Sequence, residues 1–301
     1  MYHKMWGVIN MKLIAIDLDG TLLSQHLSIS EENLTAIHAA QEQQNIVMIC
    51  SGRAKEDIVQ LLKRYNLSCP IGASNGAVTY AEGKVLKETH IEAKSVFQVL
   101  EQLEKAQFPY KLYTNQGIYV PSTWKERVIT DFQANTETNT EFSLEELDRI
   151  TEKQAKDNII TFFTDYNVLL AADDLHIEKF FILALDGTRR KNIMQTLQTI
   201  PSIAVTTSGS NNLEVMNKHA HKGNGLKVIA AHFAIPLQDT IAIGDNFNDV
   251  PMLQAAGFSI AMGNAEDEVK KLCDAVTLTN EEHGVAYALH KYILGKDTAS
   301  V

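Results

Sequence analysis

Apolar residues fall in short runs along this chain, and the runs alternate with stretches in which apolar positions recur every three or four residues. Residues 13–16, "LIAI", have the length of a buried parallel strand, and the run ends in "DLDG". The next stretch, "SEENLTAIHAAQEQQ", has the helical period. Leu34, Ile37 and Ala40 line one face, Ser30 is placed as an N-cap, and Glu31 and Glu32 suit the positive end of the helix dipole. "NIVMICSGR" repeats the strand pattern, with an apolar run at 46–50 and a polar turn through Gly52. A second helix is predicted over 55–65, followed by "PIGASNGA". Strand, helix, strand, helix predicts a parallel sheet with right-handed crossovers.

The texture changes between about residues 83 and 207. "AKSVFQVLEQLEKAQ" and "TRRKNIMQTLQTI" read as amphipathic helices. Between them lie short alternating runs, "YKLYTN", "GIYV" and "KFFILAL", and polar stretches such as "QANTETNTE". This mixture predicts a separate α+β module with antiparallel strands. The acidic "EFSLEELD" reads as the solvated face of a helix in that module. The parallel pattern then returns: "KGNGLKVIAAHFAI" is helical, "DTIAIGDN" is a strand ending in Gly-Asp, and "NDVPMLQAAG" is a helix. Strand, helix, strand, helix continues through "FSIAMGN", "EDEVKKLC", "AVTLT" and "GVAYALHKYIL". The predicted organisation is one α/β core of residues 11–83 and 208–301, interrupted by an inserted module at 84–207. Residues 1–10 read either as an extension upstream of the first strand or as a misplaced start.

Composition narrows the function classes. A chain of 301 residues with 45% hydrophobic and 21% charged residues can bury a normal core and accommodate two domains. Its formal net charge of −10 argues against a nucleic-acid surface, which needs a basic face. It leaves room for a phosphorylated small molecule, because a local metal ion or lysine can dominate an acidic background. Cys50, Cys69 and Cys273 are far apart and odd in number, which predicts reduced thiols rather than a disulfide framework or a CxxC metal pair. No apolar stretch approaches a membrane span, and the start lacks the apolar region of a signal peptide, so a cytoplasmic protein is expected.

Ligands of open α/β sheets bind beyond the carboxyl ends of the strands. Three predicted strand ends carry polar clusters: "DLDGT" at 17–21, "SGR" at 51–53 and "GDNFND" at 244–249. "HKGNG" at 221–225 sits at a predicted helix start. In this order, and spaced around an insertion between the second and third, these segments resemble the four motifs of the haloacid dehalogenase superfamily of phosphatases. "SNGA" at 74–77 and "EVMNKHAHKGNGL" at 214–226 are similar to its Cof-like branch, which carries a large α/β cap. The resemblance runs from Met11 to the last helix and implies a Rossmann-like parallel-sheet core with an inserted α+β cap domain.

The residues themselves support a physical reading beside that resemblance. In an extended segment, residues i and i+2 point the same way, so Asp17 and Asp19 share a face and Leu18 points away. Asp245 arrives from another strand end with Asp249 close by. Carboxylates converging on one point repel each other unless a cation holds them, and without His or Cys in the cluster Mg2+ fits better than Zn2+. Facing a phosphate dianion, such a cluster needs positive charge and aligned donors. Lys222 supplies charge, Ser51 and Asn248 supply neutral hydrogen bonds, and Gly20 and Gly52 let backbone N–H groups approach oxygens. His219 and His221 lack a second ligand cluster, and "GNG" is too short for a dinucleotide fingerprint. Trp124 and the cap tyrosines read first as packing residues, with stacking on a substrate ring as the alternative.

The resemblance implies the individual roles. Asp17 is the nucleophile that forms an aspartyl-phosphate, and Asp19 protonates the leaving alcohol and then activates water. The carboxylates of Asp17 and Asp245 and the backbone carbonyl of Asp19 bind the metal. The backbone at Leu18 and Asp19, with Ser51, Gly52, Lys222 and Asn248, contacts phosphate. Asp249 orients the metal's water shell and Thr21 orders the turn, while Arg53 forms either a surface ion pair or a substrate contact. The expected activity is Mg2+-dependent hydrolysis of small phosphorylated metabolites, sugar phosphates first, with flavin mononucleotide or pyridoxal phosphate behind. A phosphomutase of the same superfamily and a non-enzymatic binder of phosphometabolites are the alternatives. A monomer or weak homodimer is expected, with neither nucleic acid nor membrane as partner.

Overall fold

The computed structural model describes residues 11–134, 160–172 and 174–295; residues 1–10 and the acidic run at 141–148 lie outside these. The first strand, β1 (Leu13–Asp17), is the apolar run followed by one aspartate, and Leu13, Ile14, Ala15 and Ile16 are completely buried. Full burial on both faces is what a central parallel strand requires. The helix Glu31–Glu42 begins where its cap predicts, with Ser30 Oγ accepting from the Asn33 N–H at 3.3 Å. The strands β2 (Ile46–Cys50) and β3 (Ile71–Ala73) follow, separated by the helix Lys55–Arg64. β4 (Val78–Ala81) and β5 (Lys84–Glu88) then form an antiparallel hairpin on the edge of the same sheet.

A second sheet holds β6 (Tyr110–Thr114), β7 (Gly117–Pro121), β8 (Ile160–Phe163), β9 (Ile177–Leu183), β10 (Ile203–Thr206) and β11 (Asn212–Asn217). Its order is β10-β11-β9-β6-β7-β8, antiparallel except for the β7–β8 pair. The chain then returns to the first sheet with β12 (Thr240–Gly244), β13 (Phe258–Ala261) and β14 (Ala275–Val276). The eight-stranded order is β14-β13-β12-β1-β2-β3-β4-β5, parallel from β14 to β3. An α/β architecture with a parallel-strand core sheet is therefore present.

The sheets divide the chain slightly later than the sequence pattern does. The pattern places its breaks at 83/84 and 207/208, yet β5 at 84–88 pairs in the larger sheet and β11 at 212–217 in the smaller one. Periodicity shows that a segment is extended; it does not show which neighbour the backbone pairs with.

Each sheet has its own core. Phe180 and Ile182 of β9 join Val96, Leu100, Leu103, Leu197 and Val215 beneath one face of the smaller sheet. The alternate residues of β9, Lys179, Phe181 and Leu183, look the other way, as the two-residue period of a strand demands. Phe181 and Leu183 pack with Trp124, Val120 and Ala54, the last being a residue of the larger unit.

The strand order reverses around β1, since the chain leaves it towards β2 and β3 while β12 to β14 lie on its other side. A crevice opens beyond the carboxyl end of such a strand, and Asp17 stands there. Within the larger unit, Asn33 ties three segments together: its Oδ1 accepts from the Ala286 N–H at 2.9 Å and its Nδ2 reaches the Leu22 carbonyl at 3.5 Å. Replacing Asn33 by Ala orphans a buried N–H at the start of the helix Gly284–Leu289. The expected loss is about 1–3 kcal/mol in urea unfolding with the fold retained; an unchanged midpoint would show that the bond adds no stability.

Candidate active site

Three strand ends meet at the crevice. Asp17 lies level with Cys50 at the ends of β1 and β2, so Ser51, Gly52 and Arg53 emerge beside "DLDGT". β12 ends at Gly244, and the turn from Asp245 to Asp249 leads into the helix Val250–Ala255. Leu18 is fully buried, whereas Asp17 and Asp19 on either side of it face one cavity of about 300 Å³. Gly52, Arg53, Asn246 and Asn248 complete the wall formed by the larger unit. Tyr113, Lys179, Phe181, Ser208 and Glu214 close the cavity from the smaller sheet.

Asp17, Asp245 and Asp249 bring carboxylate oxygens within 4.8 Å of one another. All three side chains are buried. At that separation two unit charges repel by roughly 3–4 kcal/mol for an effective dielectric near 20. Local structure nevertheless holds them in place. Gly20 has φ +84°, and a Cβ there would stand 2.5 Å from Asp245 Oδ2, so only glycine admits that carboxylate. Thr21 Oγ1 donates to Asp245 Oδ1 at 2.7 Å. Asp249 Oδ2 accepts from the backbone N–H groups of Asp245 and Asn246 at 2.9 and 3.0 Å.

Lys222 supplies the nearest cation. Its Nζ donates to Asp17 Oδ1 and Asp249 Oδ1, each at 2.5 Å, from the first turn of the helix Lys222–His232. Burial disfavours its charge, but the two carboxylates prevail and hold the ammonium well above its ordinary pKa. One cation cannot neutralise three anions. Burial and the charge of Asp249 therefore raise the Asp17 carboxyl well above the usual range and push Asp245 up to about 6. Burial pushes the neighbouring Cys50 thiol up to about 12, and all three cysteines are free.

The other sequence-derived candidates are distributed around this cluster. Asp19 keeps its carboxylate outside it, gripped by Arg53 through Nη2–Oδ1 at 2.5 Å and Nε–Oδ2 at 2.9 Å. Arg53 thus forms the ion pair with Asp19 and also lines the cavity. Ser51 is buried, and its Oγ accepts from the Arg53 N–H at 3.1 Å. Asn248 lines the cavity and donates from Nδ2 to Asn75 Oδ1 at 3.2 Å. His221 caps its helix, Nδ1 accepting from the Asn224 N–H at 3.3 Å.

Sequence reasoning did not single out Lys179, Phe181, Ser208, Glu214 or Asn246. Glu214 and Asn75 stood inside segments that carried the family resemblance. Lys179 had a weaker signal: a charge inside the apolar strand "IEKFFIL", at 1% exposure. Among the described residues no helix is long and apolar enough to cross a membrane.

Comparison with known proteins agrees with this geometry. A family model described as haloacid dehalogenase-like hydrolase matches residues 14–289. The phosphatase YwpJ of Bacillus subtilis strain 168 is 34% identical, over 94% of this chain and 100% of its own length. The 5-amino-6-(5-phospho-D-ribitylamino)uracil phosphatase YwtE of the same organism is 31% identical, over 95% of this chain and 99% of its own. A solved haloacid dehalogenase-like hydrolase from B. subtilis superposes with a TM-score of 0.82 at 32% identity, covering 94% of this chain and all of that one. With a family match over residues 14–289 and a phosphatase 34% identical along nearly the whole chain, the chain belongs to the haloacid dehalogenase-like hydrolases and is a phosphatase of their Cof type.

Proposed function

We propose that this phosphatase hydrolyses monoesters of small phosphorylated metabolites through an aspartyl-phosphate on Asp17, with Mg2+ as its cofactor. The observation that carries the reading is the convergence of Asp17, Asp245 and Asp249 within 4.8 Å at the carboxyl end of the central strand. The donor set is all oxygen, which suits a hard divalent cation. The carboxylates of Asp17 and Asp245 and the backbone carbonyl of Asp19 would hold it, with Asp249 fixing the turn beneath. Bound there, the ion adds positive charge beside the phosphate and relieves the repulsion among the carboxylates.

The chain's own residues divide the remaining work. An Asp17 oxygen attacks phosphorus, the phosphorus–oxygen ester bond breaks, and Asp19 gives the leaving oxygen its proton. Asp19 then takes a proton from the water that cleaves the aspartyl-phosphate. Arg53 occupies both Asp19 oxygens in this structure and has to release them first. Lys222 neutralises charge on Asp17, and Ser51, Gly52, Asn248 and the backbone at Leu18 surround the phosphoryl oxygens. The cap sheet closes the cavity against bulk water. A volume of about 300 Å³ with Tyr113 and Phe181 beside Arg53, Ser208 and Asn246 suits a compact polyhydroxylated leaving group, with or without a small ring. Sugar phosphates come first on this reading, and flavin mononucleotide or pyridoxal phosphate follow. A phosphate-release screen across such esters tests it; a strict mutase releases little inorganic phosphate from any of them.

Asp17→Asn should lower turnover by at least a thousandfold while the protein keeps its thermal midpoint, and near-normal turnover rules out attack by Asp17. Lys222→Ala should cut the rate and weaken inhibition by inorganic phosphate about tenfold; unchanged inhibition places the anion elsewhere.

The pH dependence of the metal has a definite sign. Asp245 is raised to about 6 and Asp17 is raised too, mainly by burial, so the folded protein holds protons there more tightly than the unfolded chain. Their contribution to metal-free stability is present below the ordinary carboxyl pKa and is lost as pH rises through about 6. A divalent ion competes with those protons. Mg2+ should therefore raise the melting temperature strongly at pH 8 and little at pH 5, and EDTA should abolish activity that Mg2+ restores. An equal thermal shift at both values, or full activity without metal, removes Mg2+ from this site.

A further inference from the structure

A second buried polar set spans the two sheets, beside the carboxylate cluster. Lys179 of β9 donates from Nζ to Glu214 Oε1 of β11 at 2.6 Å and to the Gly52 carbonyl at 2.6 Å. Glu214 Oε2 accepts from Asn75 Nδ2 at 2.6 Å, and Asn75 Oδ1 accepts from Asn248 Nδ2 at 3.2 Å. Lys179, Glu214 and Asn75 are each no more than 2% exposed. A chain of hydrogen bonds therefore runs from the smaller sheet to two of the motif loops.

The chemistry of the chain gives it a direction. A carboxylate can only accept, so Glu214 compels Asn75 to present its NH2 group and turns the Asn75 oxygen towards Asn248. Asn248 in turn must present its own NH2 group, and a primary amide nitrogen carries a second N–H beyond the one given to Asn75. The amide sense of a cavity-wall residue is thus decided by an ion pair on another sheet. Lys179 balances the Glu214 charge, and in the sheet register it lies opposite Met216, two residues along from Glu214, as a diagonal cross-strand pair.

The glycine of "SGR" provides an independent constraint. A Cβ on Gly52 would stand 3.2 Å from Glu214 Oε1 and 3.3 Å from both Asn75 Oδ1 and Lys179 Nζ. The relay is packed onto Gly52, and its φ is not in the left-handed region. A side chain at this position would press on three members of the relay at once.

We propose that Lys179 and Glu214 are positioning residues of the phosphate site, which set the amide sense of Asn75 and through it aim Asn248 while Lys179 holds the Gly52 carbonyl. The proposal rests on the reading of Asn248 and Gly52 as phosphate contacts. It makes assembly of those contacts depend on the smaller sheet being docked, so cap position and phosphate affinity are coupled through one hydrogen-bond chain.

Two variants of the full chain test it. Glu214→Gln keeps the shape but allows either amide sense, and Asn75→Ala cuts the chain while leaving the Lys179–Glu214 pair intact. Both should weaken calorimetric binding of inorganic phosphate about tenfold and lower kcat/KM for p-nitrophenyl phosphate by a similar factor. Both should keep the wild-type Mg2+ dependence, and Asn75→Ala should keep the native circular dichroism spectrum while its thermal midpoint falls, because it removes a buried partner of Glu214 at a position with φ +56°. Wild-type phosphate affinity in both variants overturns the proposal. So does a defect confined to esters with bulky leaving groups, which would make Lys179 and Glu214 leaving-group contacts. Phosphate binding is read without turnover, so failure of the wild type to hydrolyse any ester counts against the hydrolase reading and leaves the relay to be judged on affinity alone.

Discussion

Mutual repulsion among three buried carboxylates is the constraint to which the rest of this site answers. Asp17, Asp245 and Asp249 come within 4.8 Å at the end of a strand whose other residues are wholly apolar. Unaided, such a group would take up protons or unfold locally. The fold opposes both outcomes with rigid supports: Thr21 bonds Asp245, two backbone N–H groups bond Asp249, and the Lys222 ammonium sits between Asp17 and Asp249. What these supports leave uncompensated is negative charge facing a cavity. On the proposed reading a divalent cation meets that charge and, with it, an anionic substrate.

The two sheets contribute different chemistry to the cavity. The larger sheet places charge at the ends of its parallel strands, where every strand points the same way and the loops converge at the order reversal. The smaller sheet offers one antiparallel face to its own apolar core and the opposite face to the cavity, so Phe180 and Phe181 of one strand serve different purposes. Tyr113, Phe181 and Ser208 shape the volume, while Lys179 and Glu214 reach across to Gly52 and Asn75. The cap is thereby tied to the motif loops by hydrogen bonds as well as by packing.

Much of the larger sheet was legible in the chain. Residues 13–16 and 46–50 announced buried strands because a parallel strand must be apolar on both faces, and Ser30 announced a helix start because few residue types can cap one. The hairpin of β4 and β5 was less visible. β5 has exposed or half-buried residues throughout, so it carries no alternation that marks a buried face. The smaller sheet's strands were read in part from their alternation, but β8 and β10 have four residues each, and the pairing of β8, β10 and β11 is a long-range property.

The chain by itself determined which residues could do chemistry. Aspartates one residue apart after an apolar run, a Ser-Gly-Arg turn and a lysine at a helix start are local features, written in consecutive residues and in the geometry of strand ends. Only the tertiary structure decided which of them act together. Asp249 proved to share Lys222 with Asp17, Asp19 proved to be gripped by Arg53, and Lys179 and Glu214 entered the site from a sheet whose pattern showed only extended backbone. The reason is physical: side-chain type and strand period are properties of neighbours in sequence, whereas charge coupling and hydrogen-bond direction depend on distances between segments that the chain visits 27 to 205 residues apart.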